Sequence, residues 1–193
     1  MKKLTLTLTL LAVALFSTAA MATDVTYSTS GSFGGGVGCN STSCTSGTET
    51  ITFGGLVAAN ASTPTFASLG NFVVSGSGSA TFSVPFTLTI TQSAPPGGSG
   101  NLSSSVSGTI TSSTQSNAEV IFSTPSVTLG GVTYTIAADV NGNPGVVLVP
   151  TGTNGGVSTL QASINTPEPA SLALLGTGLL AGGSFVRRKL IAR

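Results

Sequence analysis

The chain has 193 residues, and its six basic residues all lie at the two ends. Between Lys3 and Arg187 there is no Lys, Arg or His, so nothing there can displace counterions from phosphates. Nucleic-acid binding is excluded, and so is a polybasic membrane patch outside the tail. The carboxylates of this middle part are Asp24, Glu49, Glu119 and Asp139. Its low charge and frequent β-branched residues favour a folded domain over disorder.

The N-terminus has the pattern of a signal peptide. Residues 1–3 are a short basic segment, residues 4–17 are apolar, and Ala20 and Ala22 are the small residues that a signal peptidase reads. The apolar run is shorter than a membrane-spanning helix usually needs. We therefore predict a signal peptide over residues 1–22 that is cut after Ala22. An uncleaved membrane anchor is the alternative.

The two cysteines, Cys39 and Cys44, lie close together in a Gly- and Ser-rich stretch. Export would place them in an oxidising compartment, where such a pair favours a small-loop disulfide. A zinc site would need further Cys or His ligands, and the chain has none. We predict a disulfide and no metal site, with two free thiols as the alternative.

Between the two ends, period-two alternation predicts β-strands. Residues 81–91 place five apolar side chains on one face, namely Phe82, Val84, Phe86, Leu88 and Ile90. The other face carries Ser and Thr together with Pro85, which cannot donate to a ladder and therefore indicates an edge strand or a bulge. Residues 132–138 alternate in the same way. Weaker runs are Val25–Ser30, Thr48–Phe53, Phe72–Ser75, Val106–Thr111, Glu119–Phe122, Val146–Val149 and Ser158–Ile164.

These short strands, separated by Gly, Pro, Asn and Ser clusters, predict an all-β domain over residues 23–165. An antiparallel β-sandwich with a jelly-roll-like order is the expected architecture. A β-solenoid is the alternative, although no fixed repeat period is present. The segment Asp139–Asn143 has oxygens at alternate positions like the start of a calcium loop, but Pro144 stands where that loop needs Gly. A tight hairpin turn on Asn141-Gly142 is the better interpretation.

The C-terminal tail, residues 166–193, has three parts in order. The motif Pro167, Glu168 and Pro169 comes first, the uncharged run 170–186 follows, and a basic cluster of Arg187, Arg188 and Lys189 comes next. As a helix the uncharged run would be roughly 26 Å long, the lower limit for crossing a bilayer. The basic cluster acts as a cytoplasmic stop. We predict a transmembrane helix over 170–186, with the body outside and the basic tail 187–193 inside.

This tail resembles the PEP-CTERM sorting signal of Gram-negative bacteria, and the resemblance covers residues 167–193. It implies that exosortase, a membrane-embedded peptidase, recognises the tail and cuts near the motif. It also implies a place among envelope or biofilm proteins, with exopolysaccharide as a further partner. The two prolines suit this role because they keep the chain extended and prevent the helix from continuing upstream. An ordinary C-terminal anchor is the alternative.

The inventory of reactive residues argues against catalysis. The chain has no His, so a Ser-His-Asp triad is excluded, and with no Trp and two Tyr it has little with which to build a stacking cleft for sugars. We predict no catalytic residues, no cofactor and no enzyme activity.

The leading hypothesis is an exported, non-catalytic protein of the cell envelope or extracellular matrix, anchored in the inner membrane through one helix, transiently or permanently. A surface-displayed glycan- or ice-binding module is the alternative, based on the regular threonines Thr87, Thr89 and Thr91. An enzyme with a carboxylate site is the third possibility.

Overall fold

The structure is a computed structural model that describes residues 23–36 and 38–166. The predicted signal peptide with Ala20 and Ala22, and the tail from Pro167 to Arg193 with its motif, helix and basic cluster, lie outside the described residues. Among the residues that the structure describes, no helix has the length and hydropathy that a membrane crossing requires. Thr23–Thr166 forms one compact unit.

Nearly all regular structure in the described residues is β. The strands are β1 (Thr23–Phe33), β2 (Ser43–Ser46), β3 (Glu49–Gly54), β4 (Ala59–Thr63), β5 (Thr65–Ser75), β6 (Ala80–Ala94), β7 (Gly98–Ser112), β8 (Gln115–Ser116), β9 (Glu119–Phe122), β10 (Ser126–Leu129), β11 (Val132–Ile136), β12 (Gly145–Val147) and β13 (Val157–Asn165). One short 3₁₀ turn, Asn154–Gly156, precedes β13.

The strands form two antiparallel sheets. The first sheet has the order β12-β9-β7-β6-β1-β4, with β8 also pairing β7, and the second has the order β10-β11-β13-β5-β3-β2. The prediction of an all-β, antiparallel domain is confirmed. Hairpins keep β2 beside β3, β6 beside β7 and β10 beside β11, and most of the other connections pass from one sheet to the other.

The two sheets share one hydrophobic core, which follows from the alternation along their strands. At its centre lies a group of four phenylalanines from both sheets. The Phe86 ring of β6 lies 5.0 Å from Phe33, 5.2 Å from Phe53 and 5.0 Å from Phe72, measured between ring centroids. Gly31 of β1 lies beneath this group, and a Cβ there would collide with the rings of Phe86 and Phe53.

The expectation that Pro85 marks an edge strand or a bulge is wrong. Strand β6 lies inside the first sheet, between β7 and β1, and Pro85 pairs in regular register with Ser105 of β7. The proline is tolerated because the β1–β6 ladder has Phe33 and Phe86 as its last pair, so Pro85 has no partner residue on β1. The Pro85 carbonyl accepts a hydrogen bond from the Gly34 N–H at 2.8 Å. A proline can therefore lie in an interior strand where one neighbouring ladder stops.

Candidate functional site

Cys44 lies in β2, the outer strand of the second sheet, and Cys39 lies in the segment before that strand. In the structure Cys39 and Cys44 are joined by a disulfide, and Cys44 is 1% exposed. The Asn40 side-chain oxygen accepts hydrogen bonds from the N–H groups of Thr42 at 2.9 Å and Ser43 at 2.8 Å. The disulfide and the Asn40 side-chain oxygen thus close the same small loop. The disulfide is therefore a structural element.

The carboxylates between the two ends of the chain lie on separate elements. Asp24 accepts a hydrogen bond from the Ser62 hydroxyl at 2.5 Å across the pair β1–β4. Glu119 is half-buried in β9, between β7 and β12. Within residues 23–36 and 38–166, no group of three or more His, Cys, Asp or Glu side chains comes together. The carboxylates therefore do not form a common site.

Glu49 is a buried carboxylate. Its side chain is 1% exposed at the start of β3. Its carboxylate accepts a hydrogen bond from the Gly78 N–H at 2.5 Å. The buried carboxylate therefore secures the β5–β6 connection instead of facing a ligand.

Asp139 occupies the turn between β11 and β12. Its Oδ1 atom accepts hydrogen bonds from the N–H groups of Asn141 at 2.8 Å and Asn143 at 2.9 Å. Gly142 has a φ of 84°, which a glycine adopts without strain, and its N–H donates to the Asp139 carbonyl at 3.1 Å. The side chain is engaged in forming this turn, in agreement with the hairpin interpretation of Asn141-Gly142.

A second feature is the outer surface of the first sheet, which we term the hydroxyl face. The strand register aligns three polar rows across β1, β6 and β7, namely Ser28–Thr91–Ser99, Ser30–Thr89–Asn101 and Ser32–Thr87–Ser103. Neighbouring strands are about 4.8 Å apart. Thr91 and Ser99 are joined by a hydrogen bond of 2.9 Å, and Thr89 donates to Asn101 at 2.9 Å. The rows are uncharged, and their polar groups partly satisfy one another.

The two tyrosines of the chain meet in the core. Tyr27 of β1 and Tyr134 of β11 pack edge to face at 5.8 Å between ring centroids. The Tyr27 hydroxyl donates to the Ser68 carbonyl at 2.7 Å, and the Tyr134 hydroxyl donates to the Gln92 side chain at 2.9 Å. Burial raises the pKa of Tyr27, while burial and then the charge of Tyr27 raise the pKa of Tyr134 to about 12. Both phenols act as neutral donors in the folded protein.

One buried residue that sequence reasoning missed connects the two ends of the described body. Thr63, the last residue of β4, is 1% exposed. Its hydroxyl lies 3.1 Å from the Thr23 carbonyl oxygen and 3.2 Å from the Thr166 hydroxyl. The partners are 40 and 103 residues away in sequence. No local pattern signals such a contact, because it exists only once both sheets have formed.

Comparison with known proteins identifies the tail. Residues 165–189 match the family model described as the PEP-CTERM protein-sorting motif. The match contains the Pro167-Glu168-Pro169 motif and the basic cluster up to Lys189, so the resemblance seen in the tail is confirmed. No curated protein and no solved structure matches the chain. The motif marks an exported protein of the cell envelope that is sorted through its C-terminus.

Proposed function

We propose that this protein is a non-catalytic component of the cell envelope or extracellular matrix, whose tail is recognised and cut by an exosortase-type membrane peptidase. The observation that carries the proposal is the sorting motif at residues 165–189, which begins at the last residue of β13. The folded body thus ends where the sorting segment begins. Sorting and cutting would leave the body intact.

The proposed route follows from the two ends. The signal peptide over 1–22 directs export and is removed after Ala22. The helix over 170–186 then holds the protein in the inner membrane, and Arg187, Arg188 and Lys189 keep the end of the tail on the cytoplasmic side. Peptidase action near Pro167, Glu168 and Pro169 would release the body or transfer it to its final attachment.

The body's chemistry supports a non-catalytic role. The chain has no His, and there is no Lys or Arg between Lys3 and Arg187 to pair with a nucleophile or polarise a substrate. Glu49 and Asp139 already accept hydrogen bonds from backbone N–H groups. Such carboxylates stabilise turns and strand ends, which is a structural role.

The surface supports residence in a hydrated matrix. The hydroxyl face carries Ser, Thr and Asn side chains on three neighbouring strands. Hydroxyl-rich, uncharged surfaces exchange hydrogen bonds with water and with sugar hydroxyls at little cost. Exopolysaccharide is therefore the matrix partner that we propose.

The register of the hydroxyl face also favours a second candidate, a surface-displayed glycan- or ice-binding module. Regularly spaced hydroxyls at Thr87, Thr89 and Thr91 could match a repeating ligand. An ice-recrystallisation assay and selective, saturable co-sedimentation with one insoluble polysaccharide test this candidate, because the leading proposal requires only unselective contacts with exopolysaccharide.

The proposal is tested by replacing the motif in the full chain with P167A/E168A/P169A. We expect the variant to keep its tail and to accumulate in the membrane fraction of producing cells, because the peptidase loses its recognition sequence. The measurement is fractionation into membrane, envelope and medium, followed by immunoblotting. Arg193→Ala, which lies beyond the matched residues 165–189, is the control and should fractionate like the unaltered chain. The same distribution for the motif variant and the unaltered chain would refute the proposal.

A further inference from the structure

Thr63 forms a hydrogen-bonded chain between the two ends of the body. A hydroxyl carries one proton, so Thr63 donates to the Thr23 carbonyl at 3.1 Å and accepts from the Thr166 hydroxyl at 3.2 Å. Thr63 is 1% exposed, while Thr23 and Thr166 are half-buried. We refer to the chain Thr166–Thr63–Thr23 as the Thr63 clasp. Hydrogen bonds linked in this way strengthen one another when water is excluded.

The clasp joins the ends of two interior strands. Strand β1 begins at Thr23 and lies between β6 and β4, and strand β13 ends one residue before Thr166 and lies between β11 and β5. Strand ends are normally the first parts of a fold to open. Here both ends are secured by one side chain from β4, an edge strand of the first sheet.

The clasp lies immediately before the sorting motif in the chain. Thr166 is covalently joined to Pro167, so no free residue separates the clasp from the motif. A peptidase binds its substrate as an extended segment that reaches several residues to either side of the cut. Residues on the N-terminal side of the motif can be engaged only if Thr166 and the end of β13 leave the body.

We propose that Thr63 is a positioning residue for sorting, whose clasp holds Thr166 on the body and makes local opening at this point the step that limits C-terminal cleavage. This inference rests on the proposed cleavage by a membrane peptidase. The clasp also explains how the body stays closed after processing, because its ends are fixed by contacts inside residues 23–166.

The test uses Thr63→Val in the full chain, which keeps the shape of the side chain and removes the hydroxyl. We expect tail cleavage in producing cells to be about tenfold faster in a pulse-chase experiment, the change that follows when one hydrogen bond's net free energy no longer opposes opening. Thr63→Ser retains the hydroxyl and should restore the original rate.

Thr29→Val is the matched control. Thr29 is 7% exposed, donates to the Leu69 carbonyl at 2.7 Å and accepts from the Leu56 N–H at 2.9 Å, so its loss removes equivalent bonds away from the chain ends. The clasp predicts unchanged cleavage in this control. Equal acceleration in Thr63→Val and Thr29→Val would mean that general stability sets the rate, and the inference would be overturned.

Two further readouts separate the remaining outcomes. If Thr63→Val fails to fold, Thr166→Val removes the half-exposed partner of the same hydrogen bond. Because Thr166 lies inside the matched residues 165–189, the readout for this variant is amide hydrogen exchange over residues 162–165, which should become faster. If the tail stays uncut even in the unaltered chain, the proposed function fails. Amide hydrogen exchange over residues 23–27 and 162–166 then tests the clasp. Faster exchange in Thr63→Val than in Thr29→Val supports the clasp, and equal exchange in the two variants overturns it.

Discussion

Replacing Phe86 with Ala is expected to lower the free energy of unfolding by about 3–5 kcal/mol. Phe86 is 1% exposed, and its ring packs against three other aromatic rings that come from both sheets. The cavity would not collapse easily, because Gly31 beneath it adds no side chain to fill the space. Urea unfolding of the purified protein, followed by circular dichroism, measures the loss.

Phe66→Ala is the matched control for this prediction. Phe66 lies on β5 with 70% of its surface exposed, so the same truncation removes little buried area. We expect its unfolding midpoint to stay within experimental scatter of the unaltered protein. If both variants lost the same small amount, the two sheets would not share the core described above.

Raising the pH from about 10 to about 12 is expected to remove on the order of 2–3 kcal/mol of stability through Tyr134 alone. Burial first, and then the charge of Tyr27, raises the pKa of Tyr134 from 10.0 to about 12. Since the folded protein holds this proton more tightly than the unfolded chain, the contribution is complete below pH 10. This stabilisation is lost as the pH rises through the pKa that Tyr134 has in the folded protein.

Phenolate absorbance measures this effect directly, because the chain has two Tyr and no Trp. We expect both tyrosines to ionise above the ordinary pKa, together with the loss of near-ultraviolet circular dichroism. Tyr27→Phe retains the ring packing, leaves one titrating group and should lower the midpoint of Tyr134. Titration of both groups near pH 10 in a protein that remains folded would contradict the buried tyrosine pair.

The strands that the sequence predicts are those whose apolar residues alternate. Strand β6 is recognisable because Phe82, Phe86, Leu88 and Ile90 all point into the core, and β9 matches its predicted bounds of Glu119–Phe122. The strands β2, β4, β8 and β10 were missed. They are two to five residues long and rich in Ser, Thr and Asn. Their conformation is set by neighbouring strands, not by their own propensity.

The candidate functional residues also divide into those that can be recognised from the sequence and those that cannot. The sorting motif is readable from the sequence because its information is local, in residues 167–169 and the segment behind them. The burial of Glu49 and the contacts of Thr63 depend on residues 29 to 103 positions away. Side chains with such distant partners look like ordinary polar strand residues until the sheets are assembled.

The central claim is that the protein is cut at both ends, and the intact mass of the protein recovered from producing cells and their medium tests it most directly. We predict a product that begins at Thr23, the first residue of β1, and ends between Pro167 and Ala170, beyond the last residue of β13. Any additional mass on that product would identify its attachment or glycosylation. A product that still ends at Arg193 would contradict the account and leave an uncut surface protein.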